Sequence, residues 1–282
     1  MAGHRKHGHS AGHRAEQGKN MIPESHIRDW KQKAPWNDWA KVEQDLLVSR
    51  AVVEIFRHPV LSGCLVFRGG TALHKLYFQP PQRYSEDVDM VQIEAGPIGP
   101  VFDALREVLN PFLGKPHRKQ GPGVVTLTYR ATSEISPVVP LKLKVEINSR
   151  EHFSVFPVEK KTFAVDSPWF QGTTDIPVFS LDELLATKLR ALYQRRKGRD
   201  LFDLWLGLTA GKADPDRVVE AFRRYLEHSG HPISRSEFAA NLAEKRNHSL
   251  FKGDLTGLLS YDCRYDPADG FEIIEQKIVP RL

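Results

Sequence analysis

Apolar positions first recur at helical spacing. Trp36, Trp39, Val42, Leu46 and Leu47 fall three or four residues apart, and the pattern runs on through Val53 to Phe56. This predicts a helix that ends at His58-Pro59, because proline disfavours helix in the residue before it. Cys64-Leu65-Val66-Phe67 is an apolar run between Gly63 and Gly69; it is either a buried strand or the lead into the next helix, and periodicity does not decide. Thr71 to Tyr77 reads as helix with Leu73 and Leu76 inward, and Val88 to Ile93 as strand. Val101, Leu105, Val108 and Leu109 share one face of a helix. Val124 to Tyr129 alternates, and Leu141 to Asn148 alternates strictly, with Lys142, Lys144, Glu146 and Asn148 on the face opposite the apolar one.

Beyond Pro177 the pattern turns helical. Ser180-Leu-Asp-Glu183 has the form of a capping box. Arg195, Arg196 and Lys197 suit the negative end of that helix dipole, with Gly198 as C-cap. Further helices are expected over Asp200–Leu208, Val218–Leu226 and Phe238–Ala243. Pro23 to Pro35 reads as a lead-in with little core of its own. These patterns predict an α+β chain in three parts: a tail over 1–20, an α+β domain over 21–175 and a mostly helical domain over 176–282. No internal repeat is visible.

Composition narrows the class. The chain is 40% apolar and 27% charged, which suits a soluble protein with a real core. No apolar run approaches the ~20 residues of a membrane span, and the N-terminus has no apolar signal-like stretch. Cys64 and Cys263 do not make a disulfide framework or a zinc site. The cytosol is the expected compartment. Of the net charge of +5, three units sit in residues 1–20, where Arg5, Lys6, Arg14 and Lys19 face only Glu16. The remaining +2 means that any nucleic-acid surface must come from clustering. The same stretch carries His4, His7, His9 and His13; it reads as a metal-binding tract, a disordered tail, or a misassigned start ahead of Met21.

Chemistry concentrates in Phe67-Arg68-Gly69-Gly70-Thr71 and Arg83-Tyr84-Ser85-Glu86-Asp87-Val88-Asp89. Asp87 and Asp89 alternate on a strand and so point the same way. At ~4 Å and an effective dielectric of ~20 such carboxylates repel by roughly 4 kcal/mol, which a cation removes. Mg²⁺ suits the pair because it takes carboxylate oxygens together with substrate phosphates. Gly69 and Gly70 let backbone approach a phosphate at a helix start. Arg83 has Asp87 or a triphosphate as candidate partners.

Glu146 is a candidate third carboxylate if its strand lies beside that of Asp87; otherwise it makes an ordinary pair with a neighbouring lysine. Lys188 falls on the apolar stripe of Leu181, Leu184, Leu185, Leu189 and Leu192. A lysine there must meet an anion, such as nucleotide phosphate, or snorkel. Asp200 and Asp203 share a helix face; capping alone could explain Asp200, and Lys188 or Arg190 is a candidate partner for Asp203.

These motifs, together with Val42-Glu43-Gln44-Asp45-Leu46, Lys188-Leu-Arg-Ala-Leu and Arg199-Asp200-Leu-Phe-Asp203-Leu, resemble the AbiEii/AbiGii-type nucleotidyltransferase toxins of bacterial toxin–antitoxin and phage-defence systems. The match covers roughly 36–210. The resemblance implies a polymerase-beta-like nucleotidyltransferase core, a small mixed sheet with helices, followed by a helical region. It implies that Gly69, Gly70 and Thr71 hold the triphosphate of an NTP, with Arg83 and Ser85 beside it. Asp87 and Asp89 would bind Mg²⁺ (two ions), joined by Glu146. Lys188 would contact phosphate, and Asp200 would orient Lys188 or activate the acceptor hydroxyl. NMP would pass to an acceptor, the 3′ end of tRNA in some members, which blocks aminoacylation; a cognate antitoxin would control the toxin, and a monomer is the default.

Two other readings remain open from sequence. One is transfer to a protein or small molecule; the other is a non-catalytic nucleotide-binding module. Arg195, Arg196, Lys197, Arg223, Arg224, Lys245 and Arg246 are the candidate RNA contacts, each with a solvated helix surface as its plain alternative.

Overall fold

The computed structural model describes residues 22–282. The tail 1–20 and its histidines lie outside the described residues. The chain runs α1 (Glu24–Trp30), α2 (Trp39–Arg57), α3 (Pro59–Cys64), β1 (Leu65–Arg68), α4 (Gly69–Ala72, continued by a π-helical turn Leu73–Tyr77), β2 (Asp87–Gln92), α5 (Gly99–Leu113), β3 (His117–Gly121), β4 (Val124–Thr132), β5 (Pro140–Asn148), β6 (Glu159–Ser167) and β7 (Phe170–Val178). Helices α6 (Leu181–Gln194), α7 (Gly198–Thr209), α8 (Pro215–Ser229), α9 (Arg235–Arg246), α10 (Ser249–Gly253) and α11 (Pro267–Lys277) follow. None is long and apolar enough to cross a membrane.

Seven strands form one mixed sheet in the order β3-β4-β5-β2-β1-β7-β6. β2 is parallel to β5 and β1 is parallel to β7, while the other neighbours are antiparallel. The undecided run after Gly63 is strand β1. Alternation assigns the faces. Val88, Met90, Val125, Leu127, Leu143, Val145 and Ile147 are buried on the side where α2 and α5 pack. Each such side chain contributes roughly 1.5–3 kcal/mol when fully buried. Asp87, Asp89, Lys144 and Glu146 stand on the other side, where α4 packs on β2 and α6 packs on α4.

Several expectations change. The lead-in holds helix α1, whose Ile27 and Trp30 are buried; Trp30 Nε1 donates to Asp45 Oδ1 at 2.9 Å. Strand β3 and the β6–β7 hairpin were not visible in the pattern. β3 is exposed along its whole length, and each strand of the hairpin buries inward positions fully only towards its own C-terminal end. Only half of the capping box forms: Ser180 accepts from the Glu183 amide, but the Glu183 carboxylate accepts from the amides of Val155 and Phe156 and from the Tyr225 hydroxyl. Gly198 does not cap α6. It opens α7, and a Cβ there would overlap the carbonyl oxygen of Phe251.

Candidate active site

The site is built where β1 ends and α4 begins. Gly69 has φ +81°, a conformation that L side chains avoid, and a Cβ there would overlap Asp89 Oδ2. The glycine therefore lets the backbone lie directly against that carboxylate. No side chain caps the helical run that follows, so its first-turn amides are available to an anion. Thr71 Oγ1 donates to the Asp87 carbonyl at 2.5 Å and lies 3.0 Å from Ser85 Oγ. Thr71 is buried, so its hydroxyl fastens α4 to β2, and only its backbone is placed to meet a phosphate.

Strand register brings the acids together. Arg68 pairs with Asp89 across β1–β2, and Asp89 with Glu146 across β2–β5. Asp87 lies opposite Lys144. The strand pairing that Glu146 required is therefore present. Its alternative is present too, since Lys144 Nζ sits 2.6 Å from Glu146 Oε2. The Asp87 and Asp89 carboxylates have no hydrogen bond or ion pair with the described residues. Burial pushes both carboxyls up from the ordinary carboxylate range. Arg68 opposes this at Asp89 and Lys144 at Asp87, while Glu146 adds to it at both. Oxygen donors alone, two of them unpartnered and crowded with like charge, fit a hard divalent cation. Among the described residues, no three ligating side chains are already gathered into a metal cage.

Helices α6 and α7 supply the opposite charge. Lys188 Nζ lies 2.9 Å from Asp203 Oδ2 and 3.3 Å from Asp200 Oδ1, which settles how an amine sits on the apolar stripe. Asp200 is fully buried, with its oxygens taken by Arg195 at 2.7 and 2.8 Å and by Lys188. It is thus placed to orient cations and not to face an acceptor hydroxyl. Of the two candidate partners for Asp203, Lys188 is the one that binds it; Arg190 instead holds Glu151 at 2.6 Å, together with Arg68 at 3.2 Å.

Arg83 corrects the sequence reading. It pairs with neither Asp87 nor the cleft. It is 2% exposed and grips Asp203 through Nε at 2.7 Å and Nη2 at 2.6 Å. Its guanidinium fills the space that a Cβ on Gly70 would occupy, so Gly70 is a packing glycine under Arg83. His74 Nε2 lies 3.0 Å from Asp203 Oδ1 and must donate to this ionised carboxylate. Burial and the nearby Arg83 charge lower the His74 pKa to about 4. For Asp203 burial acts upward, but Arg83 and Lys188 outweigh it and hold the carboxyl well below its usual range.

Between sheet and helices lies a cleft of about 230 Å³ lined by Arg68, Gly69, Asp89, Glu146, Lys188 and Arg195, among others. Sequence reasoning missed Arg68 and Glu151 as site residues, although Arg68 stood inside a motif. Arg195 was read only as a helix-end charge and RNA contact. A larger cavity of about 470 Å³ is lined by Trp30, Asp45, His74, Lys75 and Phe163. The cleft is the better candidate, because the carboxylate in the larger cavity, Asp45, is already bound by Lys75 and Trp30.

Known proteins resemble this chain in sequence and in fold. Residues 50–266 match the family model described as nucleotidyl transferase AbiEii toxin, type IV toxin–antitoxin system. MenT4, a nucleotidyltransferase toxin from Mycobacterium tuberculosis H37Rv, superposes with a TM-score of 0.54 at 16% identity, over 90% of this chain and 94% of its own. At that identity the likeness speaks for the fold. An antigenic nucleotidyltransferase-like protein from Paracoccidioides brasiliensis aligns at 16% identity over 70% of this chain and 92% of its own, with a TM-score of 0.35, from which nothing is drawn. No curated protein sequence matches the chain. The family match spans well over half of the residues, and the chain is a nucleotidyltransferase of the AbiEii toxin family of type IV toxin–antitoxin systems.

Proposed function

We propose that this enzyme transfers NMP from an NTP to the 3′ end of tRNA in the cytoplasm, with Mg²⁺ as cofactor, and so blocks translation until a cognate antitoxin intervenes. The observation that carries the reading is the pair of unpartnered carboxylates, Asp87 and Asp89, with Asp89 in register with Glu146 and against the backbone of Gly69. Asp87, Asp89 and Glu146 would hold the metal, which when bound neutralises charge on the phosphates and activates the attacking oxygen.

The protein's own groups do the rest. The uncapped amides at Gly69, Gly70 and Thr71 face the triphosphate, with Ser85 beside them. Lys188 and Arg195, fixed by Asp200 and Asp203, present positive charge where the leaving pyrophosphate develops its negative charge. The acceptor oxygen bonds to the α-phosphorus as the bond from that phosphorus to pyrophosphate breaks. Arg83 and His74 act one step back, by holding Asp203.

The test is incorporation of each labelled NTP into total RNA by purified protein with Mg²⁺, beside Asp87→Ala and Lys188→Ala. Label in a tRNA-sized band, lost in both variants, is the expected result. Label absent from RNA while the folded protein binds NTP would overturn the tRNA assignment in favour of protein or small-molecule acceptors.

A further inference from the structure

The cations that sequence reasoning offered as RNA contacts are nearly all spoken for. Arg195 is bound to Asp200, Arg196 pairs with Glu244, Lys197 with Asp254, Arg224 with Glu227 and Arg246 with Glu275. Arg223 donates to the Arg281 carbonyl, and Lys245 donates to the Tyr193 carbonyl and to Asn241. Unspent positive charge lies elsewhere, on the sheet.

Register places it. Across β3, β4 and β5, one row holds His117, Thr128 and Lys144, and the next holds Lys119, Thr126 and Glu146. Arg130 lies opposite Lys142 on the same face. The rows continue into β2, where Asp87 follows Lys144 and Asp89 follows Glu146. The opposite face of these strands is the buried one, and Arg118, which alternates away from His117 and Lys119, stacks over Phe102 of α5 on that side. His117, Lys119, Arg130 and Lys142 are exposed and have no hydrogen bond or ion pair from their side chains to the described residues. The acid on this face outside β2, Glu146, is already bound to Lys144.

We propose that this open polar face of β3, β4 and β5 is the track that carries the phosphate backbone of the RNA acceptor to Asp87 and Asp89. The inference rests on the RNA reading above and says where the acceptor lies. Three strand spacings, about 14 Å, separate His117 from Asp87, enough for a few nucleotides of a 3′ end to lie across the strands. Unpaired cations next to threonine hydroxyls suit phosphate and sugar and carry no base code, so the track positions RNA without reading its sequence. The cations grade into carboxylates at Glu146 of β5 and at Asp87 and Asp89 of β2, where the chain must leave its phosphates' partners and present a terminal hydroxyl.

The experiment compares wild type with the triple variant Lys119→Gln, Arg130→Gln, Lys142→Gln, and with a charge-matched control, Arg223→Gln, Arg224→Gln, Arg246→Gln. Binding of a fluorescent RNA hairpin with a single-stranded 3′ tail is titrated at several salt concentrations, and NTP binding is measured alongside. The track variant should bind RNA at least about tenfold more weakly, with a log–log salt slope shallower by about 2, because each lost single-strand phosphate contact removes ~0.7. Its NTP affinity should stay as in wild type, and the control should keep the wild-type slope. A track variant with the wild-type slope, or a control that loses as much, overturns the track while leaving the RNA reading intact, provided wild type still labels RNA. A wild type that binds NTP yet neither binds nor labels RNA overturns both.

Discussion

Two pairs of aspartates in this site stand in opposite states. Asp87 and Asp89 on β2 have no protein partner among the described residues, and burial holds their carboxyls high. Asp200 and Asp203 on α7 are fully buried, yet between them they bind Arg83, Arg195, Lys188 and His74. The first pair is left short of positive charge; the second is saturated with it. The difference separates residues that await a ligand from residues that build the wall around it. The same residue type is a cost to the fold at one place and a support at the other.

The sharpest way to break the comparison is to remove one member of each pair. Asp87→Ala should lower nucleotide transfer by about 10³-fold, equivalent to roughly 4 kcal/mol of transition-state stabilisation, read as single-turnover rate. Asp203→Ala should instead unfold easily. It strands Arg83 without its carboxylate and leaves Lys188 with Asp200 alone, and removal of one side of a buried pair costs about 3–5 kcal/mol, measured by urea denaturation. Retained stability in Asp203→Ala would show that its ion pairs do not hold the wall.

A smaller effect concerns packing. Gly70→Ala should cost about 1–3 kcal/mol, because its methyl displaces the Arg83 guanidinium from Asp203. Wild-type stability in that variant would show that Arg83 can shift freely.

The pH dependence of stability should carry opposite signs for Asp203 and for the pair Asp87 and Asp89. Asp203, held low, supports the fold above the usual carboxylate range, and that support is lost as pH falls through its depressed value. Asp87 and Asp89, held high, weigh against the fold at neutral pH, and the burden lifts as pH falls through their raised values. His74, lowered to about 4 from 6.5, adds a loss of stability as pH drops from about 6.5 towards 4, since the unfolded chain binds the proton first. Unfolding free energies of Asp203→Asn and of Asp87→Asn/Asp89→Asn, each relative to wild type across pH 3–7, test the signs. Parallel profiles would contradict them.

Much of the site was legible because its signals are local. The alternation of Asp87 and Asp89, the glycines ahead of Thr71 and the misfit of Lys188 on a leucine stripe need only a few residues each. The parallel pairing of β2 with β5, which sets Asp89 opposite Glu146, depends on strands more than 50 residues apart, and no local pattern encodes it. Arg83 was misassigned for the same reason: its partner Asp203 is 120 residues away, brought close where α6 packs on α4 and α7 packs on α6. The outer strand β3 was invisible because His117-Arg118-Lys119-Gln120-Gly121 contains no apolar side chain; backbone pairing with β4 and the stacking of Arg118 over Phe102 hold it at the edge. The β6–β7 hairpin was hidden by similar half-exposure.

The most direct test of the central claim is thermal unfolding of wild type and Asp87→Asn/Asp89→Asn, with and without Mg²⁺. Without metal the variant should be the more stable by about 0.5–2 kcal/mol, as expected where function is kept at the expense of stability. Saturating Mg²⁺ at 100 times its dissociation constant should then stabilise wild type by about 2.7 kcal/mol and leave the variant unmoved. A variant less stable than wild type without metal, or an equal Mg²⁺ response in both proteins, would contradict the account.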